Sequence, residues 1–421
     1  MNSTYEPGDI KILKIELLNP QTGAKVDIRG QIAYLAIFED IEEPSMMLEA
    51  MINDSVNLAQ DFPIVGEEII NITYVTPARE NPTRLSFNVF SIEGTDVSPT
   101  SRSSMYFIKA VSPIHLFNAF GVIEKTYNTI ISEMVEDILK TAAGNTEKKN
   151  LRTFVEKTKG MVPVLIPSLA PFEAVDFLRQ KAVSAEFPSG GAFVFFENQY
   201  GIQFRSIEGL LKDGKTSIDS KKFTYYPGTG LDKSRQNYAF RNLLNYVHLN
   251  KFDTIDKIQS GSLSTEVESF DLLTKDVQLE TYKLSESARL FTSTENKSKL
   301  PNSNQFINRL EKSSPSRVIM TKDTSKGNDF IDATIGLKSI YANFLNQNGL
   351  RALVYGDNYL SVGDVVEIKL PETSGTTEKK TSDRLNSGNY LITKLRHQIT
   401  IEEGNKPKHY CSFDCVRIGY K

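Results

Sequence analysis

Towards residue 421 the chain reads HYCSFDCVRIGY, which sets His409, Cys411 and Cys415 close together in sequence. Imidazole and thiolate are the donors a zinc ion favours. The spacing points elsewhere. His409, Cys411, Phe413 and Cys415 fall on every second position, so the segment reads as a strand with these four side chains on one face. At the rise of a strand the two cysteines stand about 13 Å apart. That separation excludes a disulfide between them and shared ligation of one ion. The expectation is two buried, reduced, unmetallated thiols that pack as small apolar groups.

Other constellations are thinner. GTGLDKS (Gly228–Ser234) resembles a phosphate-cradling loop but lacks the glycine that should precede Lys233, so a turn is expected. GDNYLSVGD (Gly356–Asp364) has neither the ligand spacing nor the closing Glu of a calcium loop. The four histidines are His115, His248, His397 and His409. Neither G-x-S-x-G nor H-E-x-x-H accompanies them, and each is expected to be structural or on the surface. Glu39, Asp40, Glu42 and Glu43 form an acidic cluster. It reads as a solvated loop or strand end, with cation binding as the competing reading. No catalytic residue, cofactor site or metal site is assigned on this basis.

The stretch FVFFENQYGIQFRSIEGLL (Phe193–Leu211) poses the same question of chemistry against structure. Ile202 and Phe204 face one way, Gln203 and Arg205 the other. The Phe193–Phe196 run is apolar on both faces, as in a strand buried on both sides. The turn Glu197–Gly201 holds one carboxylate, with no base, thiol or metal ligand beside it in sequence. Gly201 can supply the positive φ that a hairpin of this length needs. The turn is expected to be structural, with its flanking phenylalanines holding a sheet against a helix that starts at Pro171.

The elements that would position these residues follow from patterning. The chain has 421 residues, long for one domain, with 39% apolar and 24% charged residues and a net charge of −3. That balance gives no general pull towards nucleic acid or anionic membrane. No apolar run approaches the roughly 18 residues of a membrane helix, and the first residues lack the pattern of a secretory signal; a soluble chain made in a cytoplasm is expected. Residues 1–112 carry short, evenly spaced β-rich runs separated by turn material, the signature of a barrel or sandwich. From Ser112-Pro113 the text turns helical, continuous through HLFNAFGVIEKTYNTIISEMVEDILKTAAG to about Gly144, and a second helix starts at Pro171. Residues 113–225 thus read as an α+β domain. Residues 226–255 return to strand-like text. Residues 256–328 read as an insertion, of which 284–328 is a long mobile excursion. A helix at Asp329–Asn346 and further strands complete residues 329–421. PIVGEEIINITYV (Pro63–Val75) and LSVGDVVEIKLPE (Leu360–Glu372) share Val-Gly-acid followed by β-formers, which suggests two related barrels in one chain. The fold class is therefore mainly β with α+β insertions: two tube-like antiparallel β-barrels, a small α+β domain and a long excursion.

Several of these segments, taken in order, resemble the central baseplate hub of contractile-tailed bacteriophages. They are QDFPIVGEEI; IPSLAPFEAVDFLRQKAVS through AFVFFENQYGIQFRSIEGLL; FDTIDKIQSGSLSTEVESFDLLTK; GLRALVYGDNYLSVGDVVEIKLPE; and SGNYLITKLRHQI. The resemblance spans most of the chain and rests on order and spacing rather than on one motif. It implies a non-enzymatic homotrimer whose six barrels form a pseudo-sixfold ring between a sixfold tail tube and a threefold central spike. The implied partners are the tail tube or tube-initiator protein, the spike, the tape measure protein and baseplate wedge proteins. DNA would be met only in transit through the channel, and no stable membrane insertion is implied. The implied location is the virion tail baseplate, with assembly in the host cytoplasm. Glu39, Asp40, Glu42 and Glu43 are then candidates for the lumen or an interface. The competing readings are a tail-associated cell-wall hydrolase, a hub of a non-viral contractile injection system and, less favoured because the chain has no Trp, a glycan-binding module.

Overall fold

Alternation in KILKIELL becomes strand in the computed structural model: Ile15 and Leu17 point inward and are buried, while their neighbours are half-buried. The first region continues this way. It comprises β1 (Lys11–Leu18), β2 (Lys25–Asp27), β3 (Ile32–Asp40), β4 (Met47–Asp54), β5 (Ile69–Thr76), β6 (Arg79–Ser98) and β7 (Ser103–Val111). The middle region holds α1 (Pro113–Phe120), β8 (Ile123–Ile130), α2 (Ile131–Ala142), β9 (Thr153–Val155), β10 (Met161–Leu169), α3 (Pro171–Arg179), β11 (Phe193–Asn198), β12 (Gly201–Ser206) and α4 (Ile207–Ser217). The last region holds β13 (Lys222–Thr224), β14 (Leu243–Asn250), β15 (Ser264–Asp271), β16 (Val277–Lys283), β17 (Ser316–Lys322), β18 (Gly349–Tyr355), β19 (Val365–Lys369), β20 (Gly388–Glu402) and β21 (Lys406–Val416). The structure describes residues 6–56, 62–76, 79–98, 103–143, 152–187, 192–217, 222–224, 241–250, 264–283, 316–322, 349–370, 386–402 and 406–417, with positions 58, 255, 335–336, 338 and 383. Among the described residues no helix is long and apolar enough to cross a membrane.

One sheet runs through both β regions in the order β14-β18-β21-β20-β3-β4-β7-β6-β5-β1-β2, with β19 beside β20 and β13 beside β19. Two cores divide it into two lobes. In the first lobe, Ile15 and Leu17 of β1 share a core with Leu35 and Ile37 of β3, Ile52 of β4, Phe87 of β6 and Ile108 of β7. Strands β1 and β3 are separated along the sheet by β4, β7, β6 and β5, so a shared core requires the sheet to curl round on itself. The second lobe packs Leu350, Ala352, Val365, Val366, Leu391, Cys411, Phe413 and Cys415 in the same manner. The lobes meet edge to edge: β3 pairs antiparallel with β20, from Asp40 opposite Lys394 to Tyr34 opposite Thr400. The architecture is thus mainly β, and the four helices described along their length lie in the middle region.

The middle region corrects one expectation. The text from His115 to Gly144 is not one helical stretch, because Ile123–Ile130 is strand β8, paired antiparallel with β10. Its buried residues, Ile123 and Tyr127, are four apart. Four is an even number and nearly a helical turn, so this spacing suits one face of a strand as well as one face of a helix. Pro171 does start a helix, α3, and Phe172 meets Phe195 edge to face at 5.6 Å between ring centroids. Strand β11 is buried on both faces, as its apolar run implied. Phe193 and Phe195 join the core of the middle region, whereas Val194 and Phe196 join the core of the second lobe. Full burial of a side chain such as Phe196 contributes about 1.5–3 kcal/mol, so this strand bonds two cores at once. Helix α4, which directly follows β12, is not among the elements expected from the sequence, although Ile207, Leu210 and Leu211 stand at helical spacing.

The insertion is also more ordered at one point than its composition implies. Ser316–Lys322 is strand β17, parallel to β15 in a separate three-stranded sheet. The rest of the 284–328 excursion, the GTGLDKS turn and most of the Asp329–Asn346 helix lie outside the described residues. Strand β13 pairs with β19 of the second lobe, although Lys222–Thr224 fall in the range read as the α+β domain.

Candidate functional site

The Glu197–Gly201 turn is where three regions meet. The hairpin register, Asn198 opposite Gly201, leaves Gln199 and Tyr200 as the tip. Gly201 takes φ +135°, and a Cβ there would stand 2.3 Å from the Arg152 carbonyl oxygen, so only glycine fits. The tip is thereby thrust into the space between the lobes. Asn198 Nδ2 donates to the Val362 carbonyl at 3.1 Å, and Gln199 Nε2 donates to the carbonyls of Asn358 and Leu360 at 2.9 and 2.8 Å. On the other side, Glu197 Oε2 accepts from the Met46 amide of the first lobe at 3.0 Å.

Glu39, the penultimate residue of β3, is the centre of this junction. Strand alternation turns it inward, and it is 3% exposed. Its carboxylate accepts three hydrogen bonds from two other regions: from the Gln199 amide at 3.0 Å, from Ser361 Oγ at 2.8 Å and from the Val362 amide at 2.8 Å. Burial pushes its pKa up to about 7, with the three donors pulling the other way. Glu197 is likewise raised to about 7 by burial, opposed by Ser112 and the Met46 amide. The loop Asp357–Asp364 supplies most of the second lobe's share. Within it, fully buried Asn358 accepts from Thr76 Oγ1 at 2.5 Å and donates to Thr83 Oγ1 at 2.9 Å, both in the first lobe.

The acidic cluster therefore does not share one environment. Glu39 is interior. Asp40 is half-buried and pairs with Lys394 across the seam at 2.7 Å. Glu42 and Glu43 are exposed in the turn that follows, where the Asp40 side chain accepts the Glu42 amide at 3.0 Å. Sequence alone gave no reason to single out Gln199, Asn358 or Ser361. A signal was nonetheless present: two polar turns, ENQYG and GDNYLSVG, each flanked by apolar strands. Polar turns that must be buried need partners, and each supplies the other's.

A second polar cluster lies farther along the same seam. His397 of β20 stands opposite Cys411 of β21, one strand away. His397 Nδ1 is 3.1 Å from His409 Nε2 and 3.2 Å from Cys411 Sγ, and Sγ is 3.7 Å from His409 Nε2. All three residues are buried. Burial drives the His397 pKa down to about 4, drives His409 down as well, and raises both cysteine thiols. Both cysteines are free and buried, and Cys415 keeps apart, its thiol against the Leu350 carbonyl at 3.4 Å. Reasoning along one strand could not find His397, because the contact is made across strands.

A cleft of about 780 Å³ between the first lobe and the middle region is lined by Arg84, Arg152 and Tyr200 among others, and Glu197 is the one carboxylate in its described lining. Glycosidic hydrolysis calls for two. Ser45 Oγ lies 2.8 Å from His115 Nδ1, but Ser45 is buried and the pair fastens the loop after β3 to α1. His248 lies on β14, where Tyr246 meets it edge to face at 5.8 Å.

The sequence matches no family model and no curated protein. The fold does match solved structures. A tail protein from Neisseria meningitidis MC58 is similar over 96% of this chain and 96% of its own, with a TM-score of 0.54 at 8% identity. The 43 kDa tail protein of prophage MuSo2 from Shewanella oneidensis is similar over 97% of this chain and 100% of its own, with a TM-score of 0.53 at 9% identity. The chain thus has the fold of phage tail proteins along nearly its whole length.

Proposed function

We propose that this chain is the hub of a contractile-tail baseplate, a structural adaptor between a tail tube and a central spike. The observation that carries the reading is the β3–β20 pairing, which sets two curled lobes side by side in one continuous sheet. Three such chains would present six lobes, the number a sixfold tube requires on a threefold spike. The fold shared with two tail proteins supports a place in the virion tail. On this reading the hub is a homotrimer that assembles in the host cytoplasm. It contacts the tube or tube initiator, the spike, the tape measure and the wedges, and DNA passes through its bore. A bore that lets a polyanion slide avoids dense Lys and Arg contacts. Asp40, Glu42 and Glu43 are the acidic candidates for its wall or for a subunit interface, whereas Glu39 is spent on the junction within the chain.

The fold shared with two tail proteins supports a non-enzymatic role. The test is light scattering on the purified chain, alone and with its spike, followed by imaging of the particle and a zymogram on host cell wall. The expected result is a three-chain ring with an open bore and no lysis. A bore densely lined with Lys and Arg, or an assembled particle with no bore, would defeat DNA passage; clearing of cell wall would favour the hydrolase. DNA packaged in the purified particle separates a virion from an injection device without a capsid.

A further inference from the structure

We propose that His397, His409 and Cys411 form a structural site for a zinc-class divalent cation at the seam between the two lobes. Three donor atoms, His397 Nδ1, His409 Nε2 and Cys411 Sγ, all lie within 4.8 Å of one another. Their separations are 3.1 Å between the nitrogens, and 3.2 and 3.7 Å from nitrogen to sulfur. A tetrahedral zinc site has metal–nitrogen bonds of roughly 2.0–2.1 Å and metal–sulfur bonds near 2.3 Å, which place its donors about 3.3 Å apart for N and N and about 3.6 Å apart for N and S. The triangle therefore has the edges of such a site, and a fourth ligand would have to be water, since no further His, Cys or carboxylate joins the cluster among the described residues. Two nitrogens and one sulfur are a borderline-soft donor set, suited to zinc rather than to calcium or magnesium.

A cation would take the inward lone pairs of both rings, His397 Nδ1 and His409 Nε2, and leave a proton on each outward ring nitrogen, as neutral imidazole ligands require. The surroundings also suit a thiolate: the Asp357 amide points at Cys411 Sγ across 3.5 Å, a donor that stabilises negative sulfur. Loading is a substitution of one bond for another. The Cys411 S–H proton leaves to buffer, a metal–sulfur bond forms, and no electron is transferred.

The position gives the ion a purpose. His397 also pairs with Ile37 of the first lobe. The His409 amide donates to the Gly8 carbonyl at 2.8 Å, and Tyr74 meets the His409 ring edge to face at 6.0 Å. Gly356 packs so close that a Cβ there would stand 2.0 Å from His409 Cγ, which fixes the ring. An ion at this point would fasten strands of the second lobe where the first lobe rests on them.

The experiment measures metal in the purified full chain, then treats it with chelator followed by Co²⁺ or Zn²⁺. The expected results are about one zinc per chain, a near-ultraviolet thiolate-to-cobalt absorption that Zn²⁺ abolishes, and a melting midpoint about 5 °C higher with Zn²⁺ than with chelator. Cys411→Ser should lose the absorption and Cys415→Ser should keep it. Absence of both bound metal and cobalt–thiolate absorption in the folded wild type overturns the proposal. So does an absorption that follows Cys415. If Cys411→Ser does not fold, Cys415→Ser still decides, because Cys411 is then the one thiol left to produce the band.

Discussion

The turn ahead of β5 and the turn ahead of β19 share a device. In each, a valine is followed by a glycine in the left-handed region, Gly66 at φ +97° and Gly363 at φ +88°. In each, a carboxylate accepts the amide three residues before it: Glu68 takes Val65 at 3.1 Å, and Asp364 takes Ser361 at 2.9 Å. Their surroundings differ. Val65 is 72% exposed and a Cβ on Gly66 would meet nothing within 4 Å. Val362 is 1% exposed, and a Cβ on Gly363 would stand 2.9 Å from Phe196 Cζ. One local solution ends in solvent; the other has been covered by a second region and recruited into a junction. The lesson is that a motif encodes its own backbone, while its use depends on what is packed over it.

Removing Glu39 should make the second turn resemble the first. Glu39→Ala strands the amides of Gln199 and Val362 and the Ser361 hydroxyl, and should cost about 3–4 kcal/mol at pH 6 in urea unfolding. A loss below about 1 kcal/mol would mean the junction is held by apolar packing alone. Proton binding sharpens the same contrast. Between about 4.5 and about 7 the native state holds a proton on Glu39 that the unfolded chain releases. The resulting stability is fully present below the lower value and is lost as pH rises through the upper one, on the order of 3 kcal/mol for the single group. The melting midpoint should therefore fall from pH 5 to pH 8, with Glu197 adding to the slope. Glu39→Gln should flatten the curve, and an unchanged slope would assign it elsewhere.

Gly363→Ala tests the covered turn directly. Backbone strain and the Phe196 contact together should cost about 2–3 kcal/mol. Gly66→Ala meets strain without contact and should cost about 1 kcal/mol. Equal losses at the two sites would erase the comparison.

Much of the fold was legible because strand period and core are linked residue by residue. Ile15 and Leu17, Phe193 and Phe195, and Cys411 and Cys415 all face as alternation required. The helix at Pro171 and the glycine of the hairpin were equally plain. Three things were hidden, each for a physical reason. Strand β8 buries every fourth residue, a spacing two structures share. Glu39 looks like any acid at a strand end until Gln199 and Val362 arrive from more than 150 residues away, and then it is the most constrained carboxylate of its cluster. His397 meets Cys411 only through strand register, which no local pattern specifies.

The β3–β20 seam also has a consequence in time. Lys394 and Asp40, which meet across it, are 354 residues apart in the chain. Strand β3 can pair with β4 as soon as both leave the ribosome, but its other edge stays open until residues 394–400 have been made. Such distant pairing is slow, since the loop must close before any contact rewards it. An unpaired edge beside an uncompensated Glu39 is both a hazard for aggregation and a poor template for assembly. The order of synthesis thus acts as a timer: the first lobe matures early, and the double lobe cannot be presented to any partner before the second lobe's late strands have been added.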